Sequence, residues 1–272
     1  MAIVSVCRGT RSGGQAFAEC LADQLGYPIL GREILQVAAS DLGVSEASLT
    51  QQFERGPSLW SRFVATRRIY IVGVQAALAE HVADGDLVYH GLAGQFLLRG
   101  LPAVLRTRLV APVPARIRML VEHDGMTPED ALRHIQQVDA GRARWVKMMY
   151  GEHIEDPVLY DMVINLAEVS IDSACALTAA ALEQPEFAVT EEVRAALADF
   201  RLACRVKRAL VTEPETQGLP LEVTAHGGVV EVTGSAPLLA TGETGDRIAT
   251  VARSVPGVAL VRLKVQWFDP YP

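Results

Sequence analysis

Much that would assign this chain quickly is missing. The four cysteines, Cys7, Cys20, Cys175 and Cys204, stand far apart without a C-x-x-C pair. That spacing fits reduced thiols in a cytoplasm better than a disulfide framework or a structural zinc site. The six histidines do not fall into metal-ligand spacing with the cysteines, so no metal site is expected. Basic excess is also missing. Lys and Arg number 25 against 32 Asp and Glu, a net charge of −7, which argues against dedicated nucleic-acid binding. No long apolar run exists either: the richest stretch, Ile69 to Leu78, is too short for a bilayer and follows Arg67 and Arg68. The first residues lack the basic region, apolar run and small-residue cleavage site of a signal peptide, so a cytoplasmic location is expected. There is no internal repeat and no low-complexity segment.

What is present is a glycine turn at the start. The apolar run Ile3 to Val6 enters Gly9-Thr-Arg-Ser-Gly-Gly14, and an amphipathic stretch with Phe17, Leu21 and Leu25 leaves it. Strand, glycine loop and helix together aim backbone N–H groups and a helix N-terminus at a phosphate. The spacing fits the phosphate-loop pattern G-x-x-x-x-G-K-[ST] up to its last two positions, which are Gln15 and Ala16. Gln15 is neutral and Ala16 has no oxygen, so the loop has the shape for phosphate but not the usual cation and hydroxyl.

Further along, strands are expected at Asp86–Gly91, Ala103–Ala111 and Tyr160–Asn165. Helices are expected at two short segments within 32–54, at 59–83, Ala93–Leu98, Pro114–His123, Pro128–Tyr150 and Ser170–Leu182. The alternation predicts an α/β fold: a parallel sheet flanked by helices, with ligands beyond the carboxyl ends of its strands. The composition shifts near Gln184-Pro185. A helix over 190–211, strands at Leu219–Ala225 and Val229–Gly234, a helix at Asp246–Val255 and a strand at Val258–Phe268 make a small α+β unit, α-β-β-α-β. The expected domains are 1–187 and 188–272, and a chain of 272 residues has room for both.

Several segments, in order, resemble the cytidylate-kinase-like family of P-loop nucleotide kinases. They are Arg8 with Ser12-Gly13-Gly14; Gly26-Tyr-Pro-Ile-Leu-Gly31-Arg32-Glu33; Tyr89-His90-Gly91; Val104-Leu-Arg106; Ala111-Pro-Val-Pro-Ala-Arg116; Asp139-Ala-Gly-Arg142; and Tyr160-Asp161 with Asn165. Gly228-Val-Val-Glu-Val-Thr-Gly234 and Val255-Pro-Gly-Val258 resemble a BON domain, a module that binds membranes or protein partners elsewhere. The first resemblance implies phosphoryl transfer from ATP, with Mg²⁺, to a nucleoside monophosphate such as CMP.

On that resemblance, Arg8, Arg11, Ser12, Gly13, Gly14 and Gln15 would hold the donor nucleotide. Arg32, His90, Gly91 and Arg106 would bind the acceptor, and Arg142 and Arg144 would close over the transferred group. Asp86 or Asp161 would hold Mg²⁺ through water. Departures from the family pattern at Gln15, Ala16, Gly31 and Leu92 leave alternatives open: a nucleotide-binding pseudokinase, or a scaffold acting through its BON-like part on a protein or membrane-surface partner. Each charged residue also has a plainer reading. Arg142 and Asp139 lie three apart, as in a salt-bridged exposed helix; His90 can be a hydrogen-bonded packing residue. Arg62, Arg67 and Arg68, with Trp60, Phe63 and Ile71, fit an amphipathic helix with a solvated basic face, or a contact to nucleotide or a second subunit.

Overall fold

The computed structural model describes residues 2–47, 64–83, 85–91, 93–237 and 241–268. Trp60, Arg62, Phe63 and Leu92, discussed above, lie outside the described residues, as do residues 48–54 and 59–63 of the expected helices. In chain order the elements are β1 (Ile3–Arg8), α1 (Gly14–Leu25), β2 (Ile29–Leu30), α2 (Glu33–Leu42), α3 (Val64–Val82), β3 (Leu87–Tyr89), α4 (Gly94–Leu97) and β4 (Val104–Val110). They continue with α5 (Val113–Asp124), α6 (Pro128–Tyr150), β5 (Met162–Asn165), α7 (Ile171–Leu182) and α8 (Glu191–Thr212). The last are β6 (Leu221–His226), β7 (Val229–Pro237), α9 (Thr241–Arg253) and β8 (Leu260–Phe268).

These residues form two compact units. The first takes in residues 2–33, 46–47, 85–91 and 93–189; the second takes in 34–45, 64–83, 190–237 and 241–268. The second unit therefore contains most of α2 and all of α3 as well as the C-terminal elements.

In the first unit, five strands pair in the order β2-β3-β1-β4-β5, all parallel. The expected parallel sheet flanked by helices is what forms. β1 is apolar on both faces, with Ile3, Val4 and Val6 at most 1% exposed, as a central parallel strand covered by helices requires. Phe17 and Leu21 of α1 pack on Val4, Val6, Leu105, Leu109 and Ile164, and on Ala174 and Cys175 of α7. Burying a side chain such as Phe17 stabilises by roughly 1.5–3 kcal/mol. Local signals set the helix ends: Thr127 accepts the Asp130 N–H at 3.2 Å ahead of Pro128, and Ser170 accepts the Ser173 N–H at 3.1 Å.

The register places Arg8 opposite Leu109 and Val110 opposite Asn165, so the carboxyl ends of β1, β4 and β5 share one edge. β2 was not expected from the sequence, which reads as a break from Gly26 to Gly31. It has two residues and exists by pairing: the Val88 N–H donates to Pro28 O and the His90 N–H to Leu30 O, both at 2.9 Å.

In the second unit, β6, β7 and β8 form a mixed sheet, with β6 antiparallel and β8 parallel to β7. The element order α8-β6-β7-α9-β8 is the α-β-β-α-β arrangement expected. Val206, Leu210, Val230, Val232, Ile248 and Ala252 fill its core. From α3, Ala76 and Ala79 pack on Cys204, and Glu80 takes both ends of the Arg205 guanidinium at 2.5 Å. Arg68 of α3 donates to Leu219 O at 2.7 Å, which accounts for one of the three arginines of that basic stretch. Among the described residues no helix is long and apolar enough to cross a membrane.

Candidate functional site

The site lies where β1 and β4 end. β1 delivers Arg8 into the loop Gly9–Gly13. Gly13 has φ +80 as the residue capping α1, a left-handed conformation that costs glycine nothing. Arg11 is also left-handed, at φ 54, which an L side chain adopts only at a cost. Ser12 is buried and its hydroxyl donates to Gly9 O at 3.0 Å, so the side chain ties the loop to itself.

Two arginines flank the loop. The Arg8 side chain lies across the first residue of α1: a Cβ on Gly14 would stand 2.0 Å from Arg8 Cδ. Arg116, on α5, packs its guanidinium over Gly9, where a Cβ would meet Cζ at 3.4 Å. Arg116 donates from Nε to Thr10 O at 2.6 Å and from Nη2 to Asp139 Oδ2 at 2.5 Å. Asp139, on α6, accepts the Thr10 N–H at 3.1 Å and the Thr10 hydroxyl at 2.8 Å through Oδ1. Burial alone would raise the Asp139 carboxyl, but these bonds outweigh it and hold it below the usual carboxylate range. One helical turn further on, Arg142 Nη1 stands 3.4 Å from both Arg8 O and Thr10 Oγ1.

Between them is a cavity of about 220 Å³, lined by Arg8, Gly9, Arg108, Val110, Ala111, Arg116, Asp139, Arg142, Ile154 and Glu155. Arg108, on β4, is aimed by two acceptors: its Nη1 donates to Ile154 O at 2.5 Å and to the Tyr160 hydroxyl at 3.2 Å. Burial, then the charges of Arg142, Arg32 and Arg11, push the Arg8 guanidinium down to about 10. It stays charged at neutral pH, in a crowd of like charges that an anion would relieve.

Of the residues expected at the site, Arg8, Gly13, Gly14 and Arg142 converge here. Arg32 is exposed at the end of β2, close enough for its charge to act on Arg8. His90 follows β3, with its Nδ1 buried and without a hydrogen-bond partner among the described atoms. Its ring fills the space over Gly31, where a Cβ would stand 2.5 Å from Nε2. Burial and Arg8 lower its pKa, against the pull of Glu33 and Glu19. Gly91 leaves room for Tyr89, whose hydroxyl oxygen would be 2.1 Å from a Cβ there.

Others do not join. Arg11 turns away to Asp124 at 2.6 Å. Gln15 is exposed and donates to Glu19 at 3.0 Å. Arg144 is exposed on α6. Arg106 is placed opposite Ser5, toward the amino end of the sheet, in a bidentate pair with Asp161 at 2.7 and 3.0 Å. Sequence reasoning missed Arg108 altogether and read Arg116 only as part of a motif. The signal for Arg108 was available: of the two arginines in β4, it lies nearer the carboxyl end, where parallel sheets bind ligands.

Among the described residues, those at the loop do not fit a resident Mg²⁺. Ala16 has no oxygen, the Ser12 hydroxyl is engaged with Gly9, and Gln15 faces Glu19. Asp86 and Asp161 precede β3 and β5, at the edge of the sheet opposite the loop. Among the described residues no group of three or more His, Cys, Asp or Glu could hold a metal ion.

A parallel 2-3-1-4-5 sheet with a glycine loop after β1 defines a phosphate-loop kinase fold. A crystal structure of an uncharacterized protein from Eubacterium ventriosum shares that fold with a TM-score of 0.54, at 16% identity, over 67% of this chain and 98% of that one. A model of the cytidylate kinase-like family matches residues 3–168, and the chain belongs to that family. The cytidylate kinase of Pyrobaculum aerophilum is 23% identical over 175 residues, covering 64% of this chain and 89% of that protein. The cytidylate kinase of Thermococcus kodakarensis is 23% identical over 182 residues, covering 66% and 88%.

Proposed function

We propose that the first unit is a nucleotide kinase that transfers the γ-phosphoryl group of ATP to a nucleoside monophosphate such as CMP. One observation carries this reading: four guanidinium groups, Arg8, Arg108, Arg116 and Arg142, line one cavity at the end of β1 and β4, beside the N-terminus of α1. Phosphoryl transfer is mostly positioning and charge neutralisation, and this cavity supplies both. The amides of Gly13 and Gly14 and the α1 N-terminus hold the donor β-phosphate. Arg8 and Arg142 neutralise the transferred group. Arg32, Arg108, His90 and Gly91 receive the acceptor, with Arg108 taking the part first expected of Arg106. An acceptor phosphate oxygen forms the new bond to the γ-phosphorus as the bond to the β-bridging oxygen breaks, and ADP leaves. The attacking oxygen is already anionic, so no general base is required.

A second reading has its own support. Gln15 is spent on Glu19 and Ala16 has no oxygen, which favours a nucleotide-binding protein without turnover. The two separate on ADP formation from ATP with a panel of nucleoside monophosphates. ADP formation dependent on one acceptor supports the kinase. ATP binding without ADP leaves the second reading, and no ATP binding rejects both. For the C-terminal elements, whose order resembles a BON domain, we propose contact with a protein or membrane surface. Loss of that contact on substituting exposed residues of β6–β8, with α8 and α9 intact, tests it.

A further inference from the structure

Two residues at the loop break local rules, and they are bonded to each other. Arg11 is left-handed at φ 54, a conformation that is unfavourable for an L side chain and free for glycine. Asp124 is the last residue of α5, where the carbonyl end of a helix disfavours an acid. Arg11 Nη2 donates to both carboxylate oxygens of Asp124 at 2.6 Å. The two side chains are 44% and 27% exposed, and a pair this open adds little to stability. Two unfavourable local choices joined by a bond of small worth are not explained by the fold, and such choices gather where a site needs them.

The loop backbone explains them. Arg11 and Gly13 are both left-handed, and Ser12 between them is not. That alternation turns successive backbone N–H groups to one side and makes a concave seat for an anion. Gly13 adopts its conformation freely, whereas Arg11 has to be held in it. α5 holds two consecutive residues of the loop: Arg116 Nε donates to Thr10 O at 2.6 Å, and Asp124 takes the Arg11 side chain.

We propose that Asp124 is a positioning residue for the nucleotide polyphosphate: through Arg11 it keeps the loop in the left-handed form whose N–H groups receive the phosphate. The proposal rests on the nucleotide-binding reading above and adds the residue that prepares the loop for it. Arg11 stays on Asp124 when the nucleotide is bound.

The test is calorimetric titration of ATP into the full chain and four variants, with the melting temperature of each. Asp124→Asn should bind about fivefold more weakly, with little change in its melt. Arg11→Ala and Arg11→Gly both lose the charge and the bond, but only glycine is left-handed without cost. Arg11→Ala should therefore bind about fivefold more weakly than Arg11→Gly, a comparison that stands even if Asp124→Asn does not fold. Adding Asp124→Asn to the Arg11→Gly chain should change the affinity no further. Tighter binding by Asp124→Asn would mean that Asp124 competes with phosphate for Arg11, and overturns the proposal. A lower melting temperature with unchanged affinity shows a structural contact and overturns it too, as does equal affinity of Arg11→Ala and Arg11→Gly. No ATP binding by the parent chain overturns the nucleotide reading itself, and the proposal with it.

Discussion

Arg8 lies across Gly14, so close that a single methyl group at position 14 would stand 2.0 Å from Arg8 Cδ. Strand end and helix start are thereby coupled: the guanidinium is carried to the loop only because the first residue of α1 has no side chain. Gly14→Ala should cost about 1–3 kcal/mol, as overpacking does, and weaken ATP binding about tenfold by displacing Arg8. Arg8→Ala with Gly14→Ala should recover the stability but not the binding. Thermal melts and titrations of the three variants check this.

Gly31 and His90 share a second such space. Gly31→Asp puts a Cβ 2.5 Å from His90 Nε2 and should destabilise by about 1–3 kcal/mol. His90→Ala in the same chain should remove most of that loss. Two losses that simply add, in a double-mutant cycle by urea unfolding, would contradict the contact.

The pH dependence follows from the direction of two shifts. His90 is lowered from its ordinary 6.5, by burial and by Arg8, so the unfolded chain binds its proton more readily. Stability therefore rises with pH through the window from the lowered value up to 6.5, and falls on acidification across it. The groups facing the ring are Arg8 on β1, Glu19 on α1 and Glu33 after β2. Asp139 is lowered from 3.8, so its contribution is present above 3.8 and lost as pH falls through the lower, folded value. Melts of His90→Asn should show a flatter slope just below 6.5 and an unchanged loss in strong acid.

Asp139 anchors the loop through Thr10 and Arg116, and Asp139→Ala leaves a buried guanidinium without its carboxylate. The expected cost is about 2–3 kcal/mol, with faster amide exchange at Thr10 and Ser12. Exchange unchanged from the parent would show that the loop keeps its form without α6.

Removing residues 190–272 should not leave the remaining chain intact. Ala76 and Ala79 of α3 would lose Cys204, and Glu80 would lose Arg205. Aggregation or dye binding by the truncated chain is expected; a monomeric, cooperative melt would contradict the packing of α3 in the second unit.

The sheet could be read from its apolar runs, and α6 and α7 from their capping residues, because those signals are local. β2 could not, since two residues carry no periodicity and the pairing comes from β3. Which elements α3 packs against is decided by pairs such as Glu80 and Arg205, 125 positions apart, and an amphipathic pattern does not name its partner. At the site, Arg8, Gly13, Gly14 and Arg142 were legible from the glycine loop and the family segments. Arg106 and Arg108 stand two apart in β4, and the place of Arg108 nearer the carboxyl end of the strand is what separates the residue at the cavity from the one held by Asp161. The bonds from Asp139 to Thr10 span 129 positions and had no sequence signal at all.

The central claim is that the arginine-lined cavity beside the Gly9–Gly14 loop binds the polyphosphate of a nucleotide. Calorimetric titration of ATP into the parent chain and into Arg142→Gln tests it most directly. Saturable binding by the parent, weakened about tenfold or more in the variant with an unchanged melt, is the expected result. Equal affinity in the two proteins, or no binding by the parent at millimolar ATP, would contradict it.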